Sequence, residues 1–201
     1  MTILADLLPF IAVLLVTATS IGLLLSRNWR WLIAILAFQY AGVAILTATS
    51  WPILMSIVKM VSGWMAGAVL SMAAASVPTG LGSDERYWPT GRIFRVLAAL
   101  MVLITVLSAT PMVAEMFPQL PTEALTGGLI LISMGLLQLG MTAHPLRISI
   151  GLLTLLGGFE IIYAALEVST LVAGLLAGVN VGLGVIGAYM ITVVDLELES
   201  E

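Results

Sequence analysis

Three side chains in this sequence could do chemistry that apolar surroundings make costly. Glu160 stands in Gly157-Gly158-Phe159-Glu160-Ile161-Ile162-Tyr163. Lys59 stands in Ser56-Ile57-Val58-Lys59-Met60-Val61-Ser62-Gly63, and Asn180 in Gly178-Val179-Asn180-Val181-Gly182-Leu183-Gly184. All three lie within apolar runs of membrane-crossing length. An ionised group near the middle of such a run costs roughly 2.5–3.5 kcal/mol to insert, so each asks for a partner or a role. A carboxyl and an amine can each gain or lose a proton, which suits proton carriage. Tyr163 and Glu167 follow Glu160 at helical spacing and share its face at about 100° per residue. The competing reading of Glu160 is a carboxyl that only fixes helix packing. That of Lys59 is a static ion pair between subunits. Asn180 cannot carry a proton and would orient water or a neighbouring helix.

The remaining polar residues are weaker candidates. Gln39 and Gln138 could bridge helices by hydrogen bonds. Asp6 and Glu167 fall near span ends, and His144 falls in a polar turn. Gly184 and Gly187 share the face of Asn180 and permit close approach of another helix. Gly174, Gly178 and Gly182 form a GxxxGxxxG run on the opposite face, read as helix packing inside the chain. Gly80-Leu81-Gly82 is too short for a phosphate loop. No nucleophile–base pair and no carboxylate dyad has catalytic spacing.

The elements that must position these groups are set by composition. Of 201 residues, 61% are hydrophobic and 9% charged, with mean hydropathy +1.17. A soluble domain is about a quarter charged, so this chain cannot coat a soluble surface. That excludes a soluble enzyme, a disordered chain and a nucleic-acid binder, and leaves a polytopic membrane protein with the lipid bilayer as its first partner. The sequence has no cysteine and one histidine, which excludes disulfides, thiolate metal sites and multi-histidine centres. No cofactor and no metal is expected in this chain. The net charge of −4 comes partly from the tail Asp195–Glu201.

A spanning helix needs about 20 apolar residues. Seven stretches qualify: Ile3–Leu25, Trp31–Ser50, Pro52–Ser76, Ile93–Thr110, Glu123–Thr142, Ile148–Leu166 and Val168–Val194. The predicted fold is all-α. Pro52 suits a first helical position, Val77 to Arg86 form the longest polar stretch, and Pro111, Pro118 and Pro121 bracket a loop after the fourth helix. The start, Met1 to Asp6, lacks the basic region of a cleaved signal peptide. Six of the seven basic residues, Arg27, Arg30, Arg86, Arg92, Arg95 and Arg147, fall on one face of a seven-span topology. By the positive-inside rule that face is cytoplasmic, with the N-terminus outside and the C-terminus inside. Trp29, Trp31, Trp51, Tyr87 and Trp88 fit an aromatic belt.

An internal repeat has an offset of 121. Gln39 corresponds to Glu160, Lys59 to Asn180, Gly63 to Gly184 and Ala66 to Gly187. A basic turn precedes the second helix of each half, at Arg27 to Arg30 and at His144 to Arg147. Helix 4 restores the starting side, giving a parallel 3+1+3 arrangement. Residues 1–76 form the first repeat, 77–122 the connection, and 123–201 the second repeat with its acidic tail.

From about Gly128 to Val194 the chain resembles the three-helix subunit K of respiratory complex I and the C subunits of multisubunit cation/proton antiporters. The carrying residues are Arg147 and Gly151-Leu152-Leu153-Thr154-Leu155-Leu156-Gly157-Gly158-Phe159-Glu160-Ile161-Ile162. Glu160 occupies the place of the family's buried proton-path glutamate. The family's second glutamate is replaced by Asn180. The doubled chain is similar to component E of hydrogenase-4-type complexes, with Gln39 and Lys59 where that family tends to carry a glutamine and a buried lysine.

The resemblance implies a non-redox membrane-arm subunit that takes part in proton or cation translocation beside antiporter-like subunits and a redox module. Glu160 would be the relay, Lys59 a second charge, and Gln39, Asn180, Tyr163 and Glu167 would complete the path. Arg27, Arg30 and Arg147 would hold the cytoplasmic edge of an inner-membrane protein. The rivals are a structural or assembly subunit with static ion pairs, and a free-standing small transporter.

Overall fold

Hydrocarbon offers no partner to a backbone N–H or C=O, so a stretch that crosses it closes its hydrogen bonds as helix. The computed structural model describes residues 2–77 and 91–199, with side chains for 7–77 and 91–193. Within them lie seven helices. They are α1 (Thr2–Leu25), α2 (Trp29–Thr47), α3 (Ile53–Ser76), α4 (Arg92–Met116), α5 (Thr122–Gly140), α6 (Pro145–Leu166) and α7 (Thr170–Glu199). All seven are long and apolar enough to cross a membrane.

Local chemistry sets the boundaries. The Asn28 side chain caps α2 by accepting the Arg30 N–H at 3.0 Å. Pro52 precedes α3, and Pro145 opens α6 at a position where its missing N–H costs nothing. Two ends differ markedly from expectation. α4 was expected to stop at Thr110 but runs through Pro111 to Met116, and α7 continues beyond Val194 to Glu199. Pro111 forfeits one backbone bond. Ending the helix there would leave several backbone groups without partners, which costs more in an apolar surrounding.

α2 and α6 occupy the middle of the bundle. α2 touches α1, α3, α5 and α6, while α6 touches α5, α7, α2 and α3. α3 and α7 pack along each other, and α1 leans on α5. α4 stands at the edge, against α5 and α1. The span of α6 is 56% buried and that of α4 only 17%, so α4 turns most of its surface outward. Leu32, Leu36, Leu70, Ile150 and Leu153 fill the space between α2, α3 and α6.

A missing Cβ on the α7 side lets that helix close onto α3. A Cβ at Gly184 would stand 2.7 Å from the Ala66 Cα, so only glycine permits this approach. The Gly174, Gly178, Gly182 run does not serve the internal packing expected of it. A Cβ at any of the three meets nothing within 4 Å, because α7 turns its other face to α3.

Among the described basic residues, Arg27, Arg30, Arg92, Arg95 and Arg147 lie at helix ends on one side of a seven-span topology. Arg147 Nη2 donates to the Ser26 carbonyl at 2.7 Å and ties the start of α6 to the end of α1. Trp31 is exposed, as a belt residue should be. Trp51 is not: it is 3% exposed, and its Nε1 donates to the Glu167 carbonyl at 2.9 Å. It joins the α2–α3 and α6–α7 connections because an indole N–H that leaves water needs an acceptor. Gly80-Leu81-Gly82, Arg86, Tyr87 and Trp88 lie outside the described residues, as do the side chains of Asp6 and of the acidic tail.

Candidate functional site

α3 and α6 each bring one charged residue to the bundle interior. Lys59 and Glu160 are both 0% exposed, and Lys59 Nζ donates to Glu160 Oε1 at 2.5 Å. Lys59 is too deep for its ammonium to reach the interface, and a carboxylate is what relieves it. A direct contact of this length allows two protonation arrangements, an ion pair or a neutral amine beside a neutral acid. Glu160 Oε2 is buried with no hydrogen-bond partner among the described residues. One oxygen of the carboxyl is therefore fully engaged and the other is open.

α7 contributes Asn180, also 0% exposed. Its Nδ2 donates to Glu160 Oε1 at 3.1 Å and lies 3.5 Å from Ser62 Oγ. The amide is held in this orientation from behind, where Tyr40 of α2 donates its hydroxyl to Asn180 Oδ1 at 2.8 Å. The Leu153 carbonyl, at 3.3 Å, is a poorer acceptor for the same single proton. Gly63 makes room for the phenol, since a Cβ there would overlap the Tyr40 ring. Ser62 turns its hydroxyl to the Lys59 carbonyl at 2.9 Å.

A second, neutral cluster adjoins the first through consecutive residues of α2. Gln39, 1% exposed, donates from Nε2 to Ser20 Oγ of α1 at 2.9 Å. It accepts at Oε1 from Thr154 Oγ1 of α6 at 3.0 Å. Ser20 passes its own proton to the Val16 carbonyl at 2.7 Å. The two clusters together draw polar groups from α1, α2, α3, α6 and α7 into one interior.

The structure thus brings Lys59, Glu160 and Asn180 together and sets Gln39 in the adjoining neutral cluster. Tyr163 and Glu167 stand apart from them. Tyr163 stacks on Phe159 with ring centroids 6.0 Å apart, and Glu167 caps the end of α6 with an exposed side chain. The shared helical face holds only in projection, because seven residues of rise carry Glu167 roughly 10 Å beyond Glu160. Gln138 is buried at the basic end of α5, and its Nε2 finds no partner among the described residues. His144 lies in the turn before α6, with its backbone N–H on Thr142 Oγ1 at 3.2 Å.

Ser20, Tyr40, Ser62 and Thr154 belong to the network without having been singled out in the sequence. Hydroxyls inside a span ordinarily bond to their own helix, as Thr17, Thr19 and Thr110 do here, and so carry little signal. Tyr40 did carry one: a tyrosine in mid-span is misplaced for an aromatic belt. Compared with family models, curated proteins and solved structures, the chain matches none of them.

Proposed function

We propose that this chain is a non-redox membrane-arm subunit of a complex-I-like or group 4 hydrogenase-like assembly. In this reading Glu160 and Lys59 pass protons or cations along a buried polar path. Asn180, Tyr40 and Gln39 orient the path, and antiporter-like subunits and a redox module adjoin it. The chain sits in the inner membrane with its N-terminus outside and its basic edge, at Arg27, Arg30 and Arg147, in the cytoplasm. The observation that carries the reading is the fully buried Lys59–Glu160 contact with a second carboxyl oxygen left open. A purely architectural polar contact would be expected to engage both oxygens.

The parallel 3+1+3 duplication belongs to the same proposal. α1 lies against α5, α2 against α6 and α3 against α7. Two rows, α1-α2-α3 and α5-α6-α7, stacked in the same order place each helix beside its equivalent in this way. Arg147 bonds to Ser26, residues that differ by the repeat offset.

Glu160→Gln tests the relay. In the host membrane it should abolish coupled proton transport and leave assembly, read on a native gel, intact. Normal transport would sink the relay role. The short Lys59–Glu160 contact also favours a second reading, a static pair that holds the bundle or a neighbouring subunit. Lys59→Met combined with Glu160→Leu separates the two readings, since removing both charges together spares the fold: transport then survives in the static reading and is lost in the relay reading.

A further inference from the structure

Beneath the basic edge, the ends of α1, α2, α5 and α6 do not close completely. They leave a cavity of about 10 Å³ in which the centre of a water molecule can stand, lined by Leu23, Met141, Ile150, Gln138, Thr142 and Arg147 among others. That is the room one water needs, and too little for an oxyanion. Gln138 is 6% exposed, and its Nε2, two N–H donors, has no partner among the described residues. A buried donor without an acceptor is rare in a native fold. Thr142 and Arg147 supply the other polar groups of the lining, and Arg147 already reaches across to Ser26. A water has an oxygen to accept from Gln138 and protons of its own to give.

The cavity is also aligned with the network. Gly151 stands beside Gln138, since a Cβ at Gly151 would lie 3.4 Å from the Gln138 Cβ. Thr154 lies one turn further along α6, a rise of roughly 4.5 Å. Its hydroxyl donates to Gln39 Oε1.

We propose that this cavity is a water site anchored by Gln138, and the port through which the buried network meets the basic-edge side. The water site stands on the cavity and the unpartnered amide alone. The port role rests on the transport reading above.

Hydroxyl-radical labelling by X-ray radiolysis, on the full chain in native membranes, reads the water directly. Ile150 and Ile130 are equally buried, at 1% and 2% exposed, but only Ile150 lines the cavity. Ile150 should be oxidised severalfold faster than Ile130. Gln138→Leu should remove that difference without raising the rate at Ile130, which would climb if the bundle had loosened. Equal rates in the unaltered chain overturn the water site, whatever the variant does. Loss of labelling with full proton transport in Gln138→Leu overturns the port role. Slowed transport in Gln138→Leu, with assembly intact, supports it. Glu160→Gln judges the path itself independently of all three outcomes.

Discussion

On the α3 side of the bundle a lysine and a glutamate meet at 2.5 Å, braced by Asn180, Tyr40 and Ser62. On the α1 side one amide joins two hydroxyls, Ser20 to Gln39 to Thr154, with no formal charge. Both regions are fully buried, yet they carry different risks. An uncompensated charge in a low-dielectric interior is far more costly than an unpaired hydroxyl, which can fall back on its own helix. The charged region is accordingly held from α3, α6 and α7 at once, with α2 behind, whereas the neutral bridge hangs on a single glutamine. The charged half has one correct geometry, and the neutral half can be rearranged.

That contrast is broken most severely by Lys59→Met. It leaves Glu160 with only the Asn180 amide and should cost about 3–5 kcal/mol, read as a loss of folded chain in a denaturing-detergent titration. Adding Glu160→Leu should restore most of that stability and none of the transport. An unrecovered double variant would mean that the pair does more than cancel its own charges. Next in size is Gly184→Leu, which forces α7 off Ala66 and draws Asn180 from Glu160. It should cost about 1–3 kcal/mol by overpacking and show as lost α3–α7 proximity in cross-linking.

Gln39→Leu attacks the neutral half and should cost about 0.6 kcal/mol and no more than about 1.7 kcal/mol, the average and the largest value measured for interhelical hydrogen bonds in membranes. The same titration checks it, and a loss as large as that of Lys59→Met would erase the distinction drawn here. Smallest is Gly178→Ala, on the open face of α7, where the added methyl meets nothing. Stability of the chain should stay within about 0.5 kcal/mol, and a larger drop in the assembled complex alone would reveal a neighbour on that face.

Much of this was legible along the chain. The seven helices were readable because a bilayer offers the backbone a single solution, and their ends shifted by no more than three residues outside α4 and α7. α4 was misjudged because a proline read locally as a breaker was outweighed by the cost of opening a helix in hydrocarbon. Glu160, Lys59, Asn180 and Gln39 stood out because charge and amide inside an apolar run are expensive. The glycine run of α7 was misassigned because spacing shows which face is smooth but not which neighbour, if any, lies against it.

Composition and hydropathy therefore determined, without any structure, that the chain holds seven stretches long and apolar enough to cross a membrane, with costly groups inside them, since the cost of burial belongs to each residue type alone. Only the tertiary structure decided that Lys59 meets Glu160, that Tyr40 fixes Asn180, that Tyr163 and Glu167 are left out, and that Gln138 faces a water-sized gap. Those outcomes depend on the rotation of each helix about its axis. That rotation is set by contacts between residues as far as 140 positions apart, such as Tyr40 and Asn180, which no local pattern encodes.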